Sequence, residues 1–351
     1  METLIVKNFG AVKDVTVELK NLTIFIGKTG TGKSTLAKLI AIFRQPQFYY
    51  KAKSFQSLLT EFKISDFLQK DTFISYESSI FSFSYTHNKE IEIALTTSFE
   101  GTINNFLREK NANYNIDEDL IEKTTKIFLN QAVPQNIYIP TERMLFSLFD
   151  EWKYEEKYKE ILPFVLEEFG KYLNRATQKL SDYKVDMFGV SYQKVGTKNY
   201  VKLANEKMLK LSVAASGMQT VIPALLVMDY YSSDKDHKKS FVFEEPELNL
   251  FPTAQKALVE FMAEKVLNRG HQLVICTHSD HILYSILIEC KKYDDSNGET
   301  GIFNQKTAIY YLRDEEDVPF VTEVKIEQGG KIRKFPDNFF DQHKKYIREL
   351  L

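Results

Sequence analysis

The fold prediction depends on one stretch, Gly27-Lys28-Thr29-Gly30-Thr31-Gly32-Lys33-Ser34, which matches the phosphate-binding pattern G-x-x-x-x-G-K-[ST]. The apolar run Leu22–Ile26 precedes this phosphate loop, and Lys33–Phe43 has helical spacing, which is the context that the pattern requires. The three glycines allow successive backbone N–H groups to face a phosphate chain at the positive end of the following helix. The sequence therefore predicts a strand–loop–helix unit that binds ATP.

The chemistry of the motif assigns roles to its last residues. Lys33 is expected to contact the β- and γ-phosphates, and Ser34 is expected to ligate Mg²⁺. Thr35, the next residue, completes the predicted nucleotide-binding set that begins at Gly27. The predicted cofactors are ATP and Mg²⁺.

Composition limits the other classes of function. Lys and Arg (46) nearly balance Asp and Glu (48), so the net charge of -2 does not indicate a dedicated nucleic-acid binder, although a local DNA-binding patch stays open. The two cysteines, Cys276 and Cys290, are too few for a disulfide framework or a cysteine zinc site. Neither a signal peptide nor an apolar run of about 18 residues is found. We therefore expect a cytoplasmic location without membrane insertion.

Apolar strand-like runs alternate with helical segments, which predicts an α/β fold with a mixed, mainly parallel sheet and antiparallel additions. Residues 1–99 are expected to form the N-terminal part of an ATPase core, with an antiparallel β-part. Residues 100–185 are expected to form an inserted helical lobe that includes the charged stretch 154–162 and one core strand near 135–140. Residues 186–351 would complete the core, with a terminal helix from about Asn338.

Acidic residues follow the apolar run Phe241–Phe243 directly, in the acidic turn Glu244-Glu245-Pro246-Glu247. In P-loop enzymes, the carboxyl end of the neighbouring strand faces the Mg²⁺–phosphate group. Glu244 is expected to hold the metal together with Ser34, and Glu245 to polarise the attacking water as general base. An acidic loop alone is more often a solvated turn, but the phosphate loop upstream favours the catalytic interpretation.

A second apolar run, Leu273–Cys276, leads into Thr277-His278-Ser279. His278 is expected to lie beside the γ-phosphate and to form a hydrogen bond with it, although a strand-end histidine is by itself more often structural. The other histidines lack metal-ligand spacing and receive no role; they are His87, His237, His271, His281 and His343.

A further helix is predicted to begin at Ser216-Gly217, where free N–H groups and a hydroxyl would create an anion-binding helix start. The phosphate loop already serves the nucleotide of its own chain. A second phosphate-binding helix start is therefore most useful to the ATP of another copy. The alternative is an ordinary capped core helix.

These four motifs occur in an order that resembles the ABC-type ATPase heads of the SMC and RecF group, and more closely the OLD-like AAA-family ATPases of bacterial anti-phage defence. The resemblance covers about residues 1–45 and 205–350, and the segments Tyr138–Arg143 and Gly329–Asp341 are also similar to that subgroup. It implies a P-loop NTPase of the ABC-ATPase type, in which Gly27–Ser34 is the Walker A loop.

The resemblance also assigns the remaining site residues. Glu244 and Glu245 correspond to the Walker B pair, and His278 to the switch histidine. Ser216, Gly217 and Gln219 correspond to the signature that contacts the γ-phosphate bound to a partner copy. The water-sensing glutamine has two candidates, Gln131 and Gln135.

The sequence departs from the family pattern in three segments. Glu244 stands where most ABC ATPases have Asp, and Val213-Ala214-Ala215 replaces the transporter-type residues before the signature serine. Phe251 stands where relatives usually have Asp or His, in the loop that contacts the partner copy.

The resemblance implies an ATPase (ATP and water to ADP and phosphate) that need not turn over quickly and that forms a homodimer or a multiple of dimers around ATP-Mg²⁺. Relatives often carry a nuclease domain, but the roughly 70 residues after His278 are too few for one. We therefore expect a separate effector, a nuclease or toxin, in anti-phage defence. A DNA-repair ATPase of the RecF or SMC type stays open, with basic runs at 235–239 and 331–334. A transporter ATPase subunit is a further alternative, which the signature and the inserted lobe disfavour.

Overall fold

The computed structural model describes residues 2–49, 54–87, 89, 91–110, 118–148, 162–313 and 320–332. A central sheet of six strands runs through them. Its order is β15 (Val321–Glu323), β14 (Thr307–Leu312), β3 (Leu22–Gly27), β13 (Gln272–Thr277), β12 (Lys239–Glu244) and β7 (Gln135–Ile139). β15 pairs antiparallel with β14, and the other pairings are parallel. The phosphate-loop strand β3 therefore lies next to the strand that leads to His278.

The parallel strands are apolar because both faces of the sheet are covered. Every residue of β3 and of β12 is buried. Side chains alternate between two cores: Ile24 and Ile26 face one, and Phe25 faces the other.

A five-stranded antiparallel sheet covers one face together with the first helices. Its order is β2 (Val12–Glu18), β1 (Thr3–Phe9), β4 (Leu68–Glu77), β5 (Phe81–Thr86) and β6 (Glu92–Leu95). The helices are α1 (Lys33–Phe43), α2 (Pro46–Tyr49) and α3 (Phe55–Glu61). Phe43 at the end of α1 stacks on Tyr76 of β4 with ring centroids 4.7 Å apart, which anchors the helix to this sheet.

The middle of the described chain is mainly helical. Its helices are α4 (Thr97–Lys110), α5 (Glu118–Ala132), α6 (Leu145–Leu148) and α7 (Phe164–Lys179). Strand β7 interrupts them and pairs with β12, so this region also contributes to the central sheet. Residues 154–161 of the predicted charged helix lie outside the described residues.

Helices and a small sheet cover the other face of the central sheet. The helices are α8 (Ser216–Ser232), α9 (Pro252–Met262) and α10 (Asp280–Asp295), and a π-helical turn at Ala263–Leu267 continues α9. The small sheet is an antiparallel meander of β8 (Asp182–Val185), β9 (Val190–Val195), β10 (Lys198–Lys202) and β11 (Met208–Lys210). A hairpin of β16 (Ile326–Glu327) and β17 (Lys331–Ile332) ends the described chain. The predicted helix from Asn338 and residues 333–341 of the segment that resembles the defence ATPases lie outside it.

The predicted α/β class is confirmed, with a mixed sheet and an antiparallel N-terminal β-part. In the described residues, no helix is both long and apolar enough to cross a membrane.

Candidate functional site

The carboxyl ends of β3, β13 and β12 lie at one edge of the central sheet because the three strands are parallel. β3 leads into the phosphate loop, β12 into the acidic turn and β13 into His278. Three motifs that are far apart in sequence are therefore neighbours in space, at the edge where α/β sheets bind ligands.

The phosphate loop has the backbone geometry that close approach to phosphate requires. Gly27 (φ 154°), Gly30 (φ 85°) and Gly32 (φ 85°) have positive φ angles that favour glycine. A Cβ atom on Gly27 would lie 2.2 Å from the carbonyl oxygen of Leu312, so this position excludes a side chain. Lys28, Thr29 and Gly30 are exposed, whereas Thr31 is buried and donates from Oγ1 to the Lys28 carbonyl at 2.8 Å.

The Lys33 ammonium lies over the loop. Its Nζ donates to the carbonyl oxygens of Gly27 (2.7 Å) and Lys28 (2.6 Å). Burial lowers the pKa of Lys33, while Cys276 and the carboxylates of Glu245 and Glu247 act in the opposite direction. Beside it, Ser34 is exposed and Thr35 is buried at the start of α1.

The acidic turn places its two predicted carboxylates differently. Glu244, the last residue of β12, is buried, and its Oε1 makes no hydrogen bond among the described residues. Glu245 is half-exposed and has a positive φ of 41°, and its N–H extends the ladder by donating to the Cys276 carbonyl at 2.8 Å. The reversal of the chain at Glu245 turns the second carboxylate away from the strand and toward His278.

His278 connects the acidic turn to the phosphate loop. Its Nε2 lies 3.3 Å from Oε1 of Glu245, and its Nδ1 lies 2.9 Å from the Gly27 carbonyl oxygen. Since a carbonyl oxygen only accepts, Nδ1 is the donor in the second contact. The structure thus brings Lys33, Glu245 and His278 together around Gly27.

Glu247 is a site residue to which the sequence assigned no role. Its Oε1 accepts the His278 backbone N–H at 2.7 Å, and its Oε2 accepts the Thr277 hydroxyl at 2.8 Å. This carboxylate fixes the end of β13 against the acidic turn. Its position in the acidic turn, two residues after Glu245, is the sequence feature that could have indicated a place in the site.

The predicted signature residues lie at the start of α8. Ser216 is exposed, and Gly217 packs so closely that a Cβ atom there would lie 2.8 Å from the Asn249 carbonyl oxygen. Two exposed apolar side chains belong to the same neighbourhood: Val213 (69% exposed) precedes the helix, and Phe251 (73% exposed) follows the loop that contacts Gly217.

Gln219 has a different environment from that of Ser216. Its side chain is buried, and Nε2 donates to the carbonyl oxygens of Ser212 (3.1 Å) and Ala214 (2.8 Å). In this structure Gln219 holds the turn before the helix and is not presented at the surface.

Pro223 inside α8 explains why the buried Ser147 of α6 forms a hydrogen bond with the backbone of α8. Pro223 has no N–H, so the carbonyl oxygen of Gln219 lacks its helical donor. The hydroxyl of Ser147 donates to that oxygen at 2.6 Å and satisfies it. The contact also fixes α6 against the first turn of α8.

The candidates for a water-sensing glutamine lie at the wrong end of the sheet. Gln135 begins β7 and pairs with Lys239 at the amino end of β12, and Lys239 Nζ donates to its side chain at 2.9 Å. Gln131 and Gln135 line a cavity of about 450 Å³ there, together with Arg44. The length of β12, at about 3.3 Å per residue, separates them from Glu244. Both predicted candidates are therefore wrong, because they lie too far from Glu244 to contact the attacking water.

The basic run 235–239 presents fewer positive charges to solvent than its sequence suggests. Lys239 is buried, and its ammonium lies 2.7 Å from Asp234 and 2.9 Å from Gln135. The other run, 331–334, extends beyond the described residues. The structure therefore adds no support for a DNA-binding face at 235–239.

The residues at the sheet edge fit a magnesium ion of the P-loop type. The unsatisfied buried Oε1 of Glu244 and the exposed hydroxyl of Ser34 would be the oxygen donors of the protein to this ion, and phosphates and water supply the other ligands in such sites. Tyr138 adjoins Glu244, and burial together with that carboxylate raises the pKa of Tyr138 well above its usual range. The described residues contain no group of three or more His, Cys, Asp or Glu that could hold a metal by itself.

Comparisons with known proteins found similar solved structures and matching families. Two solved structures are similar over most of the chain. The SMC head domain from Thermotoga maritima has 10% sequence identity and a TM-score of 0.46, covering 93% of this chain and 98% of the other. The Smc head domain of Pyrococcus furiosus, with an extended coiled coil and bound to the C-terminal domain of ScpA, has 11% identity, a TM-score of 0.43 and full coverage of both chains. No curated protein matches the sequence.

Two family matches divide the chain. Residues 302–350 match a family described as a protein of unknown function (DUF3696). The family described as AAA ATPase domain matches residues 1–168 and 153–283, which include the phosphate loop, the acidic turn and His278. These matches span well over half of the sequence, and the chain belongs to the AAA ATPase domain family.

Proposed function

We propose that this chain binds ATP with Mg²⁺ and hydrolyses it in a site that is completed by a second copy of the chain. The supporting observation is the separation of two phosphate-binding elements within one chain. The phosphate loop follows β3, whereas the start of α8 is bonded through Arg143 to the ends of β7 and β12. Strand β13 lies between β3 and β12, so about 10 Å separates those two strands.

Each half of the composite site has a defined task. Lys33 and the N–H groups of the phosphate loop bind the β- and γ-phosphates, and Ser34 with Glu244 holds the ion. A bound Mg²⁺ would neutralise charge on the phosphate oxygens. Glu245 takes a proton from the attacking water, and His278 orients Glu245. To contact the γ-phosphate, Nδ1 of His278 would exchange its hydrogen bond with the Gly27 carbonyl oxygen for one with the phosphate. Ser216 and the N–H groups at the start of α8 bind the γ-phosphate held by the partner copy.

Exposed apolar side chains beside Ser216 support the same assembly. Val213 and Phe251 are the two most exposed of the large hydrophobic side chains among the described residues. A second copy docked on the start of α8 would bury them, and apolar side chains at the centre of an interface contribute much of its binding energy.

The test measures the mass of Glu245→Gln in the presence and absence of ATP-Mg²⁺. This variant keeps the binding residues but lacks the general base, so ATP should persist and the mass should double by light scattering. Lys33→Ala, which removes the phosphate contact, should stay at its nucleotide-free mass. If Glu245→Gln binds ATP and its mass and hydrodynamic radius do not change, the composite site is excluded.

At the level of the cell, we propose that the ATP-driven dimer acts as a sensor or scaffold that controls a separate effector protein in anti-phage defence. The support for this step is the resemblance of the motifs to defence ATPases, and not a feature of the site. The test expresses the gene with its genomic neighbours in a phage-sensitive host. Protection should require intact Lys33 and Glu245, and equal protection by Lys33→Ala would exclude ATP-dependent control.

A further inference from the structure

A buried arginine connects the acidic turn to the signature helix. Arg143 follows β7 and is fully buried. Its Nη1 donates to the carbonyl oxygens of Pro140 and Glu244, both at 2.9 Å, and its Nη2 donates to the carbonyl oxygen of Glu245 at 2.7 Å. Its Nε donates to the carbonyl oxygen of Thr220 in α8 at 3.2 Å. One guanidinium thus binds three elements of the site through four backbone oxygens.

Thr220 in turn contacts Ser216 at the start of α8, which is the phosphate-binding element that we propose the chain offers to its partner copy. The hydroxyl of Thr220 donates to the carbonyl oxygen of Ser216 at 2.8 Å and accepts from Nδ2 of Asn249 at 3.0 Å. Asn249 belongs to the loop that packs on Gly217 and has a positive φ of 60°. The first turn of α8, the loop after the acidic turn and Glu245 are therefore linked through Thr220 and Arg143.

Only a guanidinium can satisfy this arrangement. Its N–H groups lie in a fixed plane, whereas a lysine ammonium is a point charge with three donors. The side chain also lies over the Phe243 ring, with Cζ 4.8 Å from the centroid, which fixes the plane of the guanidinium. No carboxylate oxygen of Glu244 or Glu245 takes part, so both acids keep their carboxylates for the ion and the water.

The electrostatics agree with a stable cation at this position. Burial lowers the pKa of Arg143 to about 10, while Glu247, Glu245, Glu244 and Glu142 favour the charged form. A guanidinium is not deprotonated in proteins, so all donors of Arg143 remain available at neutral pH.

We infer that Arg143 is a positioning residue, which holds the Glu244–Glu245 backbone and the first turn of the signature helix α8 in one fixed relation. Through it, the half-site offered to the partner and the general base of the same chain move together. This inference rests on the proposed function, and it extends that function with a link between the two half-sites of one chain.

The kinetic test uses Arg143→Lys with Arg44→Lys as the matched control. Arg44 is equally buried but binds Glu2 and the Ser240 hydroxyl at the amino end of β12. Arg143→Lys should lower kcat by about 100-fold, because small displacements of catalytic groups cost this much, and should change KM for ATP by less than about threefold. Arg44→Lys should lower the melting temperature without a selective loss of kcat. If both variants lose kcat and ATP affinity in proportion to their stability, Arg143 is only structural and the inference is wrong.

Hydrogen exchange provides a readout that does not need ATP turnover. In Arg143→Lys without nucleotide, peptides over residues 216–224 and 244–251 should both exchange faster, while peptides over β14 should be unchanged. Faster exchange in only one segment, or in neither, would overturn the link even if the protein is an ATPase. If the wild-type protein neither turns over ATP nor dimerises while both segments respond, the proposed function fails and the link stands.

Discussion

The imidazole of His278 lies between Glu245 and Gly27, 3.3 Å from the Glu245 carboxylate and 2.9 Å from the Gly27 carbonyl oxygen. One side chain therefore contacts both the predicted general base and the first residue of the phosphate loop. If the proposed function holds, loss of the γ-phosphate would act on Glu245 through this ring.

The contacts of His278 predict a selective effect on turnover. His278→Gln removes a ring that makes both contacts, so kcat should fall by about 100-fold, as expected for loss of a group that acts on the general base. ATP affinity should change by less than about threefold, because Lys33 and the loop N–H groups remain. His281→Gln is the control, since this side chain is exposed in the next helix. Equal effects of the two substitutions on kcat would contradict the assigned role.

The packing of Gly217 predicts opposite effects of the same substitution at two helical glycines. Gly217→Ala places a methyl group 2.8 Å from the Asn249 carbonyl oxygen and should lower the free energy of unfolding by about 1–3 kcal/mol. Gly101→Ala in α4 meets no atom within 4 Å and should raise it by about 0.5–1 kcal/mol. Urea unfolding of both variants gives these values. A neutral Gly217→Ala would show that the loop at Asn249 moves freely.

The exposure of Phe251 predicts an effect on assembly alone. Phe251→Ala should change the free energy of unfolding by less than about 0.5 kcal/mol, because the side chain is 73% exposed. In the Glu245→Gln background, the same substitution should raise the dissociation constant of the ATP-bound dimer by about tenfold, as for a central apolar contact. Val195→Ala is the control, with 58% exposure in the β9 strand of the small meander. Sedimentation velocity with ATP measures the difference, and equal dimer affinities would exclude Phe251 from the interface.

The Asp234–Lys239 pair predicts a pH-dependent contribution to stability. A hydrogen bond from Lys239 lowers the pKa of Asp234 from 3.8 to about 2. The ionised carboxylate therefore stabilises the fold above pH 3.8, and this contribution is lost as the pH falls toward 2. Asp234→Asn should lower the free energy of unfolding at neutral pH by about 1 kcal/mol, since the carboxylate is partly exposed and screened by solvent.

The pH profile separates this pair from an ordinary surface pair. The difference between wild type and Asp234→Asn should shrink as the pH falls from 4 toward 2, within the window set by the two pKa values. Asp14→Asn breaks an exposed pair with Lys7 and should cost less than about 0.5 kcal/mol at any pH. A difference for Asp234→Asn that persists at the lowest pH would contradict the role of the charge.

Much of the architecture was predictable because local pattern and global fold agree. The apolar strands that end in Gly27, Glu244 and Thr277 are buried on both faces, so their composition indicated parallel central strands before the structure placed them side by side. The glycine spacing of the phosphate loop predicted its position at the start of α1.

The contacts that join the motifs could not be predicted in the same way. Arg143 binds four backbone carbonyl oxygens, and no residue type in the partner segments reveals such contacts. The bond from Ser147 to the carbonyl of Gln219 likewise depends on a proline four residues later and on the docking of α6. Gln135 failed as a candidate for the opposite reason: its strand was predictable, but its place at the amino end of β7 removes it from the site.

Subunit complementation tests the composite site most directly. Lys33→Ala should inactivate the phosphate loop of its own chain, and Ser216→Arg should inactivate the half-site offered to the partner. Each variant alone should therefore lack ATPase activity. In a mixed dimer, the intact phosphate loop of the Ser216→Arg chain faces the intact Ser216 of the Lys33→Ala chain, which restores one site. An equimolar mixture should recover ATPase activity well above the sum of the separate variants, because each mixed dimer has one complete site. Recovery at that level supports a site shared between two copies, and activity no higher than the sum of the separate variants would contradict it.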